Sequence, residues 1–300
     1  MKGFFYIKIL KILRLVIKKI KAPEILVNEV NVLIQNKIKV SLKAELIGED
    51  YLQEIIQLHP GGNYVWVSWL QGEKNAPFII SECISSIKRY SPNDYEVIVI
   101  DESNYSDYVI IPAHIIEKYS SGIITKTHFS DILRWALLSE YGGIWMDSTI
   151  FLSKNIDFIG KEDFFTLKQS SEESSAYIPK GRWSGFFIKV KPNYQPSKDI
   201  YNSLVEYWNK NKELIDYFLI DYVLDLVYER STEFRDDIKK LDIYGDDIYN
   251  LVESSKLDSS LNVSDEDVGI YKLSYKTSPS EGKKLEGIIK GLKYKKEINL

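Results

Sequence analysis

Asp131, Arg134 and Asp147 are the residues whose types and spacing invite chemistry. They lie in HFSDILRWALLSEYGGIWMDST, residues 128–149, which reads as a helix, a glycine-marked turn and a short strand. Asp131 and Arg134 are three apart, so on a helix they share one face, while Ile132, Leu133, Ala136 and Leu137 supply the buried stripe. Asp147 follows the hydrophobic run GGIWM directly, which sets its carboxylate at the mouth of a sheet. A carboxylate there can accept hydrogen bonds from ribose or sugar hydroxyls, or bind a hard divalent cation that neutralises a diphosphate. Each residue also has a plainer reading. Asp131 in the first helical turn is favoured by the helix dipole and can pair with Arg134 at the surface, where such a pair contributes little. Asp147 can simply cap a turn. Thr149 stands where a second acid would complete a pair of carboxylates.

Alternating strands and helices must position these residues. YVWVSWLQG, residues 64–72, is an apolar, β-branched and aromatic run closed by Gly72, the mark of a buried strand. APFIISECISSIKRYSP has helical spacing and stops before Pro92, and YEVIVID is a second buried strand ending in Asp101. IPAHIIEKYS predicts a short helix. The helix that carries Asp131 starts at Thr127 or Ser130 as N-cap and ends before Gly142. Gly142 and Gly143 allow close backbone approach or positive φ. IWMD is a third strand, and DFFTLK and GFFIKV are two more. Residues 24–60 read as mixed helix and connection ending at the break HPGG, and residues 196–230 as helical. This alternation predicts a mostly parallel sheet. Ligands sit outside the carboxyl ends of such strands, where the Trp69–Gly72 segment, Asp101 and Asp147 fall together.

Composition removes several function classes. The chain has 300 residues, 44% of them hydrophobic, enough to bury a sizeable core. A net charge of -4 gives no footprint for nucleic acid. The single cysteine, Cys83, excludes an intramolecular disulfide or a multi-cysteine zinc site and suits a reducing cytoplasm. It lies on an apolar helical face and reads as inert core. Three histidines leave little for a His-rich metal site or a catalytic triad, and His128 beside a helix start reads as structural or as an acceptor contact. The N-terminal MKGFFYIKILKILRLVIKKIKAP carries Lys8, Lys11, Arg14 and Lys18 along one helical face, filled in by isoleucine, leucine and valine, and Pro23 closes it. It has neither the apolar run needed to span a bilayer nor a signal-peptide cleavage site. Apolar plus basic is the signature of an interfacial helix, so residues 2–21 are expected to contact the inner leaflet of the cell membrane, with the protein cytoplasmic and peripheral. The alternative is a helix packed on the domain with a solvated basic edge.

The stretch SDILRWALLSEYGGIWMDST resembles the signature of GT-A fold glycosyltransferases with a DXD-type sugar-binding motif. That group includes the bacterial capsular polysaccharide synthesis proteins, the initiating mannosyltransferases and the glucosylating clostridial toxins. The shared pattern is Ser-Asp, two residues, Arg, a helix, Gly-Gly, an aromatic, a hydrophobic residue and Asp. VWVSWLQGEKNAPFIISECISSIKRYSPNDYEVIVID upstream, and SGFFIKVKP after Trp183, extend the likeness over residues 64–192. It implies an α/β fold of the GT-A, Rossmann-like kind: a mostly parallel sheet flanked by helices, with an N-terminal amphipathic helix and a helical C-terminal part. The chain then divides into a lead-in at 1–60, a nucleotide-sugar-binding core at 61–192 and an acceptor-side region at 193–300.

The resemblance also implies roles. Trp69 stacks on the nucleotide base, Asp131 and Arg134 hold the donor sugar and its phosphate, and Asp147 contacts ribose, sugar and a Mn²⁺ or Mg²⁺ ion. Ser130, Gly72, Gly142 and Gly143 belong to the same donor site, Asp101 is a candidate for ribose, and Trp183 stacks on a sugar or sits in the core. Thr149 replaces the second Asp of the motif; then another group completes the metal site, the metal is held loosely, or Arg134 and nearby lysines neutralise the diphosphate. The implied activity is transfer of a sugar from a nucleotide-sugar donor to a growing surface polysaccharide or a lipid-linked glycan acceptor, with retention as in relatives that share the motif. Asp216 and Asp221 are candidates for an acceptor-side base, or are solvated helix residues. Alternatives are a sugar-phosphate transferase and a non-catalytic glycan-binding or scaffold subunit.

Overall fold

The computed structural model describes residues 2–46, 61–170, 177–257 and 268–298. Helices α1 (Lys2–Lys19) and α2 (Glu24–Leu46) form a hairpin that turns at Pro23. Then come β1 (Tyr64–Ser68), α3 (Phe78–Tyr90), β2 (Glu96–Ile100), α4 (Tyr105–Tyr108), α5 (Ala113–Ser120), α6 (Lys126–Tyr141) and β3 (Gly143–Asp147). They are followed by β4 (Ile150–Leu152), α7 (Asp157–Gly160), β5 (Phe164–Thr166), β6 (Phe187–Val190), α8 (Gln195–Lys210) and α9 (Leu219–Arg230). Helices α10 (Thr232–Lys240) and α11 (Asn250–Leu257), strand β7 (Ile270–Lys272) and α12 (Pro279–Ile298) complete the described chain.

The central sheet has the order β2-β1-β3-β6-β5. β1 pairs in parallel with β2 and β3, and β6 runs antiparallel to β3 and β5. Four of the five strands therefore point the same way, the mostly parallel sheet that the alternation predicts. The period-two pleat sorts the side chains. Trp66 and Trp145, directly opposite in register, share one face with α6, α8 and α9. Val65, Val67, Ile144 and Met146 share the other face with α3. The larger core also takes in Ile7, Leu10, Ile34, Ile38 and Leu42 from the N-terminal hairpin, so it draws on all three segments of the chain.

Some sequence expectations shift. β2 is an edge strand with Glu96 exposed, not a buried one, because it has β1 as its one neighbour. Residues 24–46 form one continuous helix rather than mixed structure; His59 and Pro60 of the HPGG break lie outside the described residues. α6 begins earlier than predicted: Thr125 is the N-cap, its side chain accepting from the His128 N–H at 3.3 Å. Asp131 is thus in the second turn, where the dipole argument loses its force. The early start follows from burial of His128 and Phe129, which draws the first turn into the core.

Gly142 and Gly143 close α6 and open β3 with φ of 69° and 95°. A Cβ on Gly143 would meet the Tyr64 carbonyl oxygen at 2.4 Å, and one on Gly142 would meet the Pro192 nitrogen at 2.7 Å. The pair lets α6 turn sharply into the middle of the sheet, which sets Arg134 above the far end of β3.

Candidate active site

The site lies beyond the carboxyl ends of β1 and β3. Asp147 is the last residue of β3, opposite Ser68 of β1. It shares the pleat face of Trp145, and α6 covers that face. Arg134 Nη2 therefore reaches Asp147 Oδ1 at 3.0 Å, and Trp145 Nε1 donates to the same oxygen at 2.9 Å. The guanidinium rides over the Trp145 ring at 5.0 Å and turns Nη1 to Asp131 Oδ1 at 3.1 Å. Arg134 is 5% exposed, so it is a buried bridge between two carboxylates rather than a surface charge. His128 Nε2 accepts from Trp208 Nε1 at 2.9 Å, and its Nδ1, 3.6 Å from Asp131 Oδ2, makes no hydrogen bond. His128 is structural.

A residue far along the chain completes the cluster. β7 pairs antiparallel with β4, Lys272 opposite Ile150, and the Leu273 N–H donates to the Thr149 carbonyl at 2.8 Å. This ladder brings Lys272 Nζ to 2.8 Å from Asp147 Oδ2 and 2.6 Å from Thr149 Oγ1. Burial alone would raise the Asp147 carboxyl; the charges of Lys272 and Arg134, with hydrogen bonds from Lys272 and Trp145, outweigh it and hold the group below its ordinary value. Asp147 is thus a firmly ionised carboxylate.

Around this cluster opens a cavity of about 590 Å³, the size range of small-molecule sites. Trp69, Ser130, Asp131, Arg134, Asp147 and Thr149 all line it. The Trp69 ring meets Tyr275 edge-on at 5.4 Å, and its Nε1 is buried without a protein partner. Gly72 and Asp101 stand beside the lining. Gly72 has φ of 84° and shapes the turn after Trp69, while Asp101 Oδ1 accepts from the Ser103 backbone N–H at 2.8 Å. Gly142 and Gly143 sit at the opposite end of β3, where close packing explains them. Trp183 is fully buried behind the wall and donates from Nε1 to Asp221 Oδ1 at 3.1 Å.

Asp221 lines the cavity from α9. Burial pushes its carboxyl up to about 6, with the Asp131 charge adding to the rise and the Trp183 hydrogen bond and Arg134 opposing it. Asp216, the other acid in ELIDYFLIDYVLD, pairs with Lys11 Nζ of α1 at 2.6 Å and is not part of the lining. Lys272, Tyr275, Lys276 and Tyr249 were not singled out by sequence; the weak signal for Lys272 is that it follows the apolar pair Ile270–Tyr271 in an otherwise mixed region. Cys83 is buried in an apolar cluster and its thiol is pushed up by burial, consistent with inert core.

The lining does not suit a divalent ion. Hard cations of this kind collect several oxygen ligands, yet among the described residues no group of three or more His, Cys, Asp or Glu is placed to hold a metal. Both oxygens of Asp147 and the Thr149 hydroxyl already receive hydrogen bonds from Arg134, Trp145 and Lys272.

Several known proteins resemble this chain. O-glycosyltransferase braB of Annulohypoxylon truncatum is 28% identical over 140 residues, 44% of this chain and 31% of its own length. Probable glycosyltransferase FCK3 of Fusarium pseudograminearum (strain CS3096) is 22% identical over 202 residues, 63% of this chain and 51% of its own. The chain thus spans only 31% and 51% of the length of these two curated relatives. Among solved structures, PaToxG Glycosyltransferase covers 88% of this chain and 94% of its own at 16% identity with a TM-score of 0.37, too distant to transfer residue roles. The sequence matches the family described as Capsular polysaccharide synthesis protein over residues 15–292, nearly the whole chain, and the protein therefore belongs to the capsular polysaccharide synthesis protein family.

Proposed function

We propose that this protein is a glycosyltransferase that takes a sugar from a nucleotide-sugar donor and passes it to a growing surface polysaccharide or a lipid-linked glycan. The observation that carries the reading is the Asp131–Arg134–Asp147–Lys272 cluster at the strand ends of an open cavity walled by Trp69. Glycosyl transfer builds positive charge at the anomeric carbon and negative charge on the departing diphosphate, and stabilising the leaving group is the main electrostatic task. Arg134 and Lys272 supply fixed positive charge for the diphosphate. Asp147 holds both cations in place and offers its carboxylate edge to donor hydroxyls. The Trp69 ring offers an aromatic surface for the base, with Tyr275 packed against it in a T-shaped contact. The family and the names of the curated relatives support the same reaction class. Nucleoside diphosphates titrated against tryptophan fluorescence test the donor half: one is expected to quench saturably, with the quench lost in Trp69→Ala. Absence of any saturable response across the common diphosphates would contradict it.

Retention is the stereochemistry that the motif's relatives support, with the departing phosphate taking the acceptor proton. One observation favours the inverting alternative. Asp221, its carboxyl pushed up to about 6, lines the cavity on α9 without an ion-pair partner among the described residues, as a base for the acceptor hydroxyl would.

The same reading places the enzyme on the inner face of the cell membrane through α1 and α2. Phe5, Ile12, Leu15 and Val16 of α1, Ile20 in the turn after it, and Ile25 and Val40 of α2 are exposed, and no helix among the described residues is long and apolar enough to cross a membrane. The basic stripe is partly engaged within the fold, while Lys18 stays exposed. Lys8 pairs with Glu213 at 2.7 Å, Lys11 with Asp216 at 2.6 Å, and Arg14 reaches Asn31 at 3.3 Å. Apolar insertion rather than lysine attraction then dominates binding. Ile12→Asp combined with Leu15→Asp is expected to lower vesicle binding by about tenfold or more, while added salt weakens wild-type binding little. Binding that salt abolishes and the double variant retains would count against this mode.

A further inference from the structure

We propose that the Lys272 ammonium stands in place of a divalent cation at this site and, with Arg134, receives the donor diphosphate without a metal ion. This rests on the reading of the cavity as a nucleotide-sugar site and departs from the metal that the motif's relatives lead one to expect.

The geometry points to it in three ways. First, Lys272 Nζ lies between the two residues of the Asp-x-Thr sequence, 2.8 Å from Asp147 Oδ2 and 2.6 Å from Thr149 Oγ1. A lysine ammonium has three donors. Two are used here, and the third remains for a ligand oxygen, while the Phe186 ring lies 4.6 Å away. Thr149 thereby finds its reason: a hydroxyl is a sufficient acceptor for an ammonium, where a dication needs further charged oxygens. Second, the charges balance without a metal. Within the cluster Asp131 and Asp147 face Arg134 and Lys272, two negative against two positive, and Asp221 and Lys276 add one charge of each sign to the same lining. A dication at this position would share the Asp147 carboxylate with the Lys272 ammonium and meet its like charge. Third, Lys272 is built into the fold rather than swung in from a loop. Ile270 and Tyr271 anchor its strand in the core, its N–H donates to the Ile248 carbonyl at 2.7 Å, and β4 fixes its register. Lys276 lines the same cavity and adds positive charge, while Lys126, also in the lining, pairs with Glu102 at 2.9 Å.

The test uses the full-length protein stripped with EDTA and two readouts. Mn²⁺ electron paramagnetic resonance without nucleotide reports metal binding; calorimetry with the tightest-binding nucleoside diphosphate, in EDTA and in Mg²⁺, reports the ligand. Wild type is expected to bind no Mn²⁺ and to bind the diphosphate equally in both buffers. Lys272→Met is expected to weaken diphosphate binding by about ten- to a hundredfold, the loss of one charge-assisted hydrogen bond, while Lys272→Arg retains most of it and shows that the strand still folds. Lys272→Asp, which adds a second carboxylate, is expected to create a Mn²⁺ site. Wild-type Mn²⁺ binding lost in Asp147→Asn, or diphosphate affinity that collapses in EDTA and returns with Mg²⁺, overturns the proposal. So does Lys272→Met binding the diphosphate as tightly as wild type. Those results leave the glycosyltransferase reading standing; failure of every nucleoside diphosphate to bind in either buffer overturns both.

Discussion

Asp147→Asn is expected to lower kcat for donor turnover by about two to three orders of magnitude, the scale for removing one preorganised electrostatic group. The carboxylate is the meeting point of the site: Oδ1 takes Arg134 and Trp145, and Oδ2 takes Lys272. An asparagine retains one acceptor for Arg134 and Trp145 but turns an NH₂ toward the Lys272 ammonium, donor against donor. Lys272 must move, and the cationic cradle loses its shape. Stability falls too, because two cations lose their shared counter-charge. The sign with pH follows from the lowered carboxyl. Asp147 contributes stability that is complete above the ordinary carboxylate value and is lost as pH falls through the depressed folded value. The wild-type advantage in Tm over Asp147→Asn should therefore be full at neutral pH and shrink in acid. An unchanged kcat, or a Tm difference that grows toward acid, would remove Asp147 from the centre of the site.

Asp221→Asn is the second large effect, and it separates activity from stability. In the folded protein burial pushes this carboxyl up to about 6, so the folded state binds its proton more tightly than the unfolded chain. Stability then falls as pH rises between the unfolded value near ~4 and the folded value, and the cost is fully present above it. Asparagine removes that cost and retains the oxygen that accepts from Trp183 Nε1. Its Tm is expected to exceed that of wild type at pH 8 and to match it near pH 4. If Asp221 is the acceptor's base, the same variant loses about a hundredfold or more in kcat, and the acid limb of the wild-type profile near pH 6 disappears. A more stable and fully active variant with an unchanged profile assigns Asp221 to the wall and leaves the proton to the departing phosphate.

The α6–β3 unit was legible in sequence because its chemistry is local. Asp131, Arg134 and Asp147 fall within one helix, one turn and one strand, so helical spacing and strand polarity suffice to bring them together. What completes the site is not local. Lys272 is 125 residues from Asp147 and arrives through a three-residue strand in a mixed region, with no periodicity to mark it. Likewise, the lysines of α1 read as a lipid-facing stripe because their partners lie about two hundred residues away in the segment that leads from α8 to α9. Gly142 and Gly143 read in sequence both as a backbone device and as part of the donor site, because a glycine pair before a strand does not say whether it serves the ligand or the turn. The clash distances at its two Cβ positions point to the turn. Trp183 shows the same ambiguity for aromatic residues: one residue from the cavity lining, it is core, and it acts on the site only through Asp221.

The most direct measurement is nucleoside diphosphate release when the purified full-length protein is incubated with a panel of nucleotide sugars, read beside Asp147→Asn. Saturable release from one donor, absent in the variant, is the predicted result. Silence across the whole panel from a folded wild-type protein, or equal release by wild type and variant, would contradict a glycosyltransferase built on this cluster.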